Sequence, residues 1–221
     1  MRVLLTGFEP FGGSQVNPSR EVVDRLARDG VPGVTLHSAI LPVDRQEGPV
    51  TLLYAVRALH PDAILCLGEA ARRMAISIER VAINLLDYHM ADNAGHQAID
   101  APIVPDGPAA YFVTLPVRAM LEAVHAAGIP AELSLSAGAF LCNQVTYELL
   151  HYLTTHQLDI PAGFVHLPAL PEQVTNAYPS MPSMALETMT RGIYAIIGSL
   201  QATIPSPAGR TIPSPAGRGL G

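Results

Sequence analysis

An α/β fold, built as one domain around a mostly parallel sheet, is what this sequence predicts, and three observations carry it. Short apolar runs alternate with longer segments of helical period, which is the pattern of βαβ units. Of the 221 residues 49% are hydrophobic, enough for one sizeable core and short of two full domains. No uncharged apolar stretch approaches the length of a membrane span, and the apolar run in MRVLLTGFEP is too short for a secretory segment.

The elements follow in order. Residues 2–7 (RVLLTG) read as the first strand, and NPSREVVDRLARDG as a helix: Asn17 or Ser19 caps it, Val22, Val23 and Leu26 share one face, and Gly30 stops it. A second strand, VTLHSAILP, precedes a helix over RQEGPVTLLYAVRALH for which Asp44 is a candidate cap. DAILCLG and RVAINL are the next strand candidates. Residues 87–108 are rich in turn formers without a sustained period, so they read as a long loop or irregular hairpin, a kind of segment that is often functional. Pro116 suits the first turn of PVRAMLEAVHAAG, which ends at Gly128. AELSLSA is a strand, CNQVTYELLHYL a helix and GFVHLP the last strand. A final helix over 183–200 places Leu186, Met189, Ile193, Ile196 or Ile197 and Leu200 on one face to cover the sheet. The domain is therefore expected over 1–201. Residues 202–221 carry TIPSPAGR twice in tandem, draw no apolar face and are expected to be disordered.

The charge excludes some functions. With 13 Lys+Arg against 19 Asp+Glu and no basic run, a surface that tracks nucleic acid is not expected. Two cysteines, Cys66 and Cys142, lie far apart, and Cys66 falls inside an apolar strand; a disulfide scaffold is not indicated, and a cytoplasmic, reducing location fits.

Cys142 stands where the small-residue run SAGAF meets a helix. Free N–H groups and the helix dipole there favour a thiolate, so the reading as a nucleophile predicts a lowered thiol pKa. The other reading is a small buried residue filling space under the helix. A nucleophilic cysteine needs a base and the base an orienting partner. His166, at the carboxyl end of a predicted strand, is placed where open α/β sheets assemble sites, although a structural histidine is equally at home there. Glu79, just before RVAINL, is the candidate third member, with a surface ion pair to Arg80 or Arg73 as the alternative. His151 and His156 lack neighbours to complete a metal set. TGFEPFGG lacks the Lys-Ser/Thr and the glycine spacing of a phosphate loop; its Phe8 and Phe11 could instead sandwich a small flat group or cap the sheet edge.

TGFEPFGGSQVNPS, ERVAINL, SLSAGAFLCNQVTYELLH and FVHLP resemble, in order and spacing, the motifs of the pyrrolidone-carboxylate peptidases, or pyroglutamyl peptidases I, over about residues 4–200. The resemblance implies a single α/β domain with a twisted central sheet flanked by helices on both faces. It also implies a cytosolic cysteine peptidase that removes amino-terminal pyroglutamate from peptides, needs no metal or cofactor and is commonly a homotetramer. Carried over by motif, Cys142 is the nucleophile, His166 the base and Glu79 its orienting partner. Phe8, Phe11, Glu69, Met90, Phe140 and Leu141 fall at substrate-binding positions. Two departures stand out: GEAARR has Glu69 where the family often has glutamine, and DYHMADN has His89 where an arginine is usual and Met90-Ala91 for Ile-Pro. They leave room for an idle small-molecule binder on the same scaffold. A different α/β hydrolase or phosphorylase using the first loop for phosphate is the further alternative, and that loop lacks a basic residue for it.

Overall fold

The computed structural model describes residues 1–175 and 180–204, so the tandem repeat predicted to be disordered lies, from residue 205 on, outside the described residues. Eight strands and six helices are found there: β1 (Arg2–Phe8), α1 (Pro18–Asp29), β2 (Thr35–Leu41), α2 (Glu47–Leu59), β3 (Ala63–Glu69), β4 (Ile76–Glu79), β5 (Val81–Ile83), β6 (Ala110–Phe112), α3 (Val117–Ala126), β7 (Ala131–Ser134), α4 (Leu141–Thr155), β8 (Ala162–Leu167), α5 (Pro171–Val174) and α6 (Leu186–Thr203).

Six strands form the central sheet in the order β2-β1-β3-β8-β4-β7. All neighbours are parallel except β4 and β8, which run antiparallel with Ser77 opposite His166. The central strands β1, β3 and β8 are buried along nearly their whole length, as strands covered on both faces must be. Alternate residues supply two cores. Val3, Leu5, Leu65, Leu67, Ile76, Ile78 and Val165 meet α1, α3 and α6 on one face; Leu4, Ile64, Cys66 and Phe164 meet α2 and α4 on the other. This is the expected α/β class with helices on both faces.

Local signals explain the helix ends. The Asn17 side chain accepts a hydrogen bond from the Ser19 N–H, and Gly30 takes a positive φ of 72°. Asp44 Oδ1 accepts from the N–H groups of Gln46 and Glu47 at 2.7 and 3.0 Å, which turns the chain into α2.

One strand assignment needs correction. The central-sheet strand of this region is Ile76–Glu79, not RVAINL, and Glu79 closes that strand instead of preceding one. Residues 81–83 belong to a separate two-stranded sheet with β6. The physical reason is the pleat: Ile76 and Ile78 face the core beneath α6, while Ser77 and Glu79 face the site, so only half of this strand is apolar. β6 and the short α5 carry no pattern the sequence reading separated from loop. Among the described residues no helix is long and apolar enough to cross a membrane.

Candidate active site

The site is assembled on the α2/α4 face, where β3 and β8 end against the start of α4 with the antiparallel β4 beside β8. His166 sits on β8, and Glu79 lies diagonally across from it on the same face of the antiparallel pair. His166 Nδ1 and Glu79 Oε1 are 2.7 Å apart, with His166 4% and Glu79 0% exposed. A carboxylate accepts only, so Nδ1 carries the proton and Nε2 is left with a lone pair facing the cleft side. Arg73 Nη1 lies 2.8 Å from the same Glu79 oxygen, and its Nη2 donates to the Ser136 carbonyl oxygen at 2.8 Å. The other carboxylate oxygen, Oε2, is buried without a hydrogen-bond partner among the described residues. The ion pair between Glu79 and Arg73, raised as the alternative to a catalytic role, thus exists together with the histidine contact.

Cys142 is the second residue of α4. The helix begins at Phe140 without a side-chain cap, so its first N–H groups are left for a ligand. The sulfur is accommodated by Gly68: a Cβ built there would lie 2.9 Å from Cys142 Sγ and 2.6 Å from the Phe164 ring. Gly68 is the β3 residue in register with His166. The missing side chain on β3 therefore lets the sulfur come down onto the sheet beside the histidine strand.

A cleft of about 530 Å³ is lined by Cys142, His166, Glu69, Arg73, His89 and the 136–140 segment. Continuous with it, through Phe11, Glu69, Phe140 and Cys142, is a narrow recess of about 10 Å³ that also borders Phe8, Asn17, Val43 and Leu141. Phe11 and Phe140 stand 6.2 Å apart between ring centroids, and Phe140 is edge-on to Tyr88 at 4.6 Å. The arrangement is a thiol, an oriented imidazole and free helix N–H groups beside an aromatic-walled slot with one carboxyl group, that of Glu69, in its lining. It can perform acyl transfer by a nucleophilic sulfur.

The family model described as pyroglutamyl peptidase matches residues 1–202. The chain belongs to the pyroglutamyl peptidase family. It is 50% identical over 192 residues to the pyrrolidone-carboxylate peptidase of Vibrio vulnificus, covering 87% of this chain and 89% of that protein. To the enzyme of that name from Gloeobacter violaceus it is 48% identical over 202 residues, covering 91% and 98%. Among solved structures, pyroglutamyl peptidase I of Bacillus amyloliquefaciens superposes with a TM-score of 0.86 at 39% identity, over 91% of this chain and 97% of that one.

Within this pyroglutamyl peptidase fold, Cys142, His166, Phe8, Phe11, Glu69, Phe140 and Leu141 line the cleft or recess, and Glu79 stands buried behind His166. Met90 lines neither cavity; its methyl group lies 3.0 Å from where a Cβ on Gly12 would stand, over the first loop. His89 is exposed at the cleft mouth with its ring 5.5 Å from Phe140. Asp44, Asp92 and His96 come within 4.8 Å of one another, but the Asp92 oxygens are engaged by the N–H groups of Arg45, Ala94 and His96 and tie the 87–108 segment to α2.

The lowered thiol pKa expected from the helix terminus is not what the site produces. Burial, reinforced by Glu79 and Glu69, pushes the Cys142 thiol up to about 12, against a smaller pull down from Arg73 and the residue's own N–H. Burial likewise depresses His166 below its usual 6.5, with Glu79 acting in the opposite direction. The resting pair is a neutral thiol beside a neutral imidazole. Sequence reasoning missed Gly68, Arg73, Asn17 and Val43; only Gly68 left a signal, a glycine within an otherwise bulky buried strand.

Proposed function

We propose that this chain is a cysteine peptidase that hydrolyses the bond after an amino-terminal pyroglutamyl residue, with Cys142, His166 and Glu79 as its catalytic and orienting groups. The observation that supports it most is the Glu79–His166 pair opening onto the same cleft as Cys142, beside a recess walled by Phe8, Phe11, Phe140 and Leu141.

Cys142 Sγ attacks the pyroglutamyl carbonyl carbon while its proton passes to His166 Nε2, which the raised thiol and the neutral imidazole both require. The carbonyl oxygen, gaining charge, is held by the uncapped N–H groups at the start of α4. Collapse of the adduct breaks the C–N bond, and His166 returns the proton to the departing amine. A thioester on Cys142 remains. Water, giving a proton to the same Nε2, then releases pyroglutamate and restores the thiol. Glu79 holds Nδ1–H throughout, and Arg73 holds Glu79.

Selectivity follows from the recess. A five-membered lactam carries no charge, whereas a free amino terminus or open glutamate would bring one into a dry slot and leave its polar groups unmatched. The test is release of a fluorescent amine from a pyroglutamyl amide, with a prolyl amide as control and Cys142→Ser as comparison. The proposal expects cleavage of the pyroglutamyl amide alone, abolished in the serine variant. Inertness of the parent in reducing buffer would favour the idle binder instead.

A further inference from the structure

Two of the basic groups in the cleft are committed. Arg73 is bound to Glu79 and the Ser136 carbonyl, and His166 is bound to Glu79. Glu69 is the one carboxylate in the lining, and it has no such partner. It ends β3, lines both the cleft and the recess, and among the described residues pairs with no cation. Its Oε1 accepts a hydrogen bond from Gln173 Nε2 at 3.0 Å, an uncharged donor that is itself fixed by the Leu170 N–H on Gln173 Oε1 at 2.7 Å.

An unpaired carboxylate against a phenylalanine-walled recess is costly once a ligand expels the water. The proposed substrate ring is neutral and offers one N–H and one C=O. An ionised Glu69 could accept from that N–H but would repel the carbonyl oxygen and bury a charge. A protonated Glu69 brings a donor and an acceptor at no such cost.

We propose that Glu69 determines specificity in this chain by engaging the lactam as the neutral acid, so that its loss of a proton switches off substrate capture. The inference rests on the proposed function and deepens it. Burial holds the Glu69 carboxyl up at about 7 against an ordinary 4.5, with the Gln173 hydrogen bond pulling the other way, so the switch lies near neutrality. The ionised form also raises the Cys142 thiol, which makes the nucleophile poorer in the same step.

The groups that face Glu69 are Cys142 from α4, His166 from β8 with Glu79 behind it, Arg72 and Arg73 from the segment after β3, and His89 from the 87–108 segment. Asn17 and Gln173 are uncharged. Cys142 titrates far above neutrality, and burial holds His166 below its usual 6.5. His89 is retained when Glu69 is replaced, so a Glu69→Gln comparison separates the two.

The experiment measures KM and kcat for a fluorogenic pyroglutamyl amide from pH 5.5 to 8.5 in the parent and in Glu69→Gln. The expected result is a parent KM that climbs by up to about tenfold per pH unit above 7, so the variant-to-parent ratio of kcat/KM rises at least about tenfold from pH 6 to 8.5. A ratio constant within about twofold overturns the proposal. A second readout needs neither catalysis nor a variant: protection of the parent against thermal unfolding by 2-pyrrolidone, the bare lactam, is expected at pH 6 and largely lost at pH 8.5. Cleavage with a flat ratio sinks this inference alone. A parent that cleaves nothing yet is protected by the lactam only at low pH sinks the peptidase reading and keeps the role of Glu69. Protection that is absent, or equal at both pH values, overturns that role as well.

Discussion

Two glutamates end the strands on either side of β8, and the molecule treats them in opposite ways. Glu79, at the end of β4, is fully buried with His166 and Arg73 both on its Oε1. Glu69, at the end of β3, is less enclosed yet has only an amide for company and is held near 7 by burial. The same residue type is packed between His166 and Arg73 behind the cleft on one side of β8 and left as a titrating acid in the cleft lining on the other. What decides is which carboxylate the cation pairs with, and Arg73, four residues after Glu69, reaches Glu79 on the other strand.

The comparison breaks most visibly at Glu79. Glu79→Gln keeps the shape but removes the anion that selects Nδ1–H on His166, and kcat should fall by about 10²–10⁴-fold, measured with the fluorogenic pyroglutamyl amide. A loss under about tenfold would mean that His166 is oriented by something else.

Removing the cation comes next. Arg73→Met leaves Glu79 buried and uncompensated and frees the Ser136 segment, so a loss of about 3 kcal/mol in unfolding free energy and about 10–100-fold in kcat/KM is expected. Arg73→Lys should recover part of the stability and less of the activity, because one ammonium cannot serve both Glu79 and the Ser136 carbonyl. Unchanged denaturation midpoints in Arg73→Met would show that Glu79 does not need its partner.

On the β3 wall, Gly68→Ala places a methyl group 2.9 Å from Cys142 Sγ and 2.6 Å from Phe164. The sulfur has to rise off the sheet, and kcat/KM should drop by about tenfold or more with a stability cost of about 1–3 kcal/mol. Parent-like kinetics would show that the sulfur position is not set by this contact.

The smallest effect concerns stability at Glu69. Its proton is held more tightly folded, at about 7, than unfolded, at 4.5, so the folded state binds more protons between these values and stability falls as pH rises through them. Glu69→Gln removes that fall. Its advantage over the parent should grow by about 2 kcal/mol from pH 4.5 to 8 in denaturant titrations. An advantage that does not change with pH would contradict the unpaired-carboxylate picture.

What was legible in the sequence divides along the same line of local against distant causes. Asn17 and Gly30 announce α1 because capping is decided within a few residues. Cys142, His166 and Glu79 were legible because they sit in motifs whose order resembles that of one family. β4 was not, because two of its four residues, Ser77 and Glu79, are polar and lie on the sheet face that carries His166, which leaves too little apolar pattern. Arg73 reads as a surface arginine until the fold brings Ser136 to it across 63 positions. The thiol pKa was misjudged for a related reason: the helix terminus is visible in the sequence, whereas the burial and the two carboxylates that outweigh it arrive from β3, β4 and the packed recess.

Rapid-quench mass spectrometry with an activated pyroglutamyl ester, chosen so that acylation outruns hydrolysis, tests the central claim most directly. The account predicts a transient pyroglutamyl adduct on the peptide containing Cys142, absent in Cys142→Ser, with the Cys66 peptide unmodified although burial pushes that thiol up to about 12 as well. Product formation with no adduct on Cys142, or an adduct on Cys66, would contradict it.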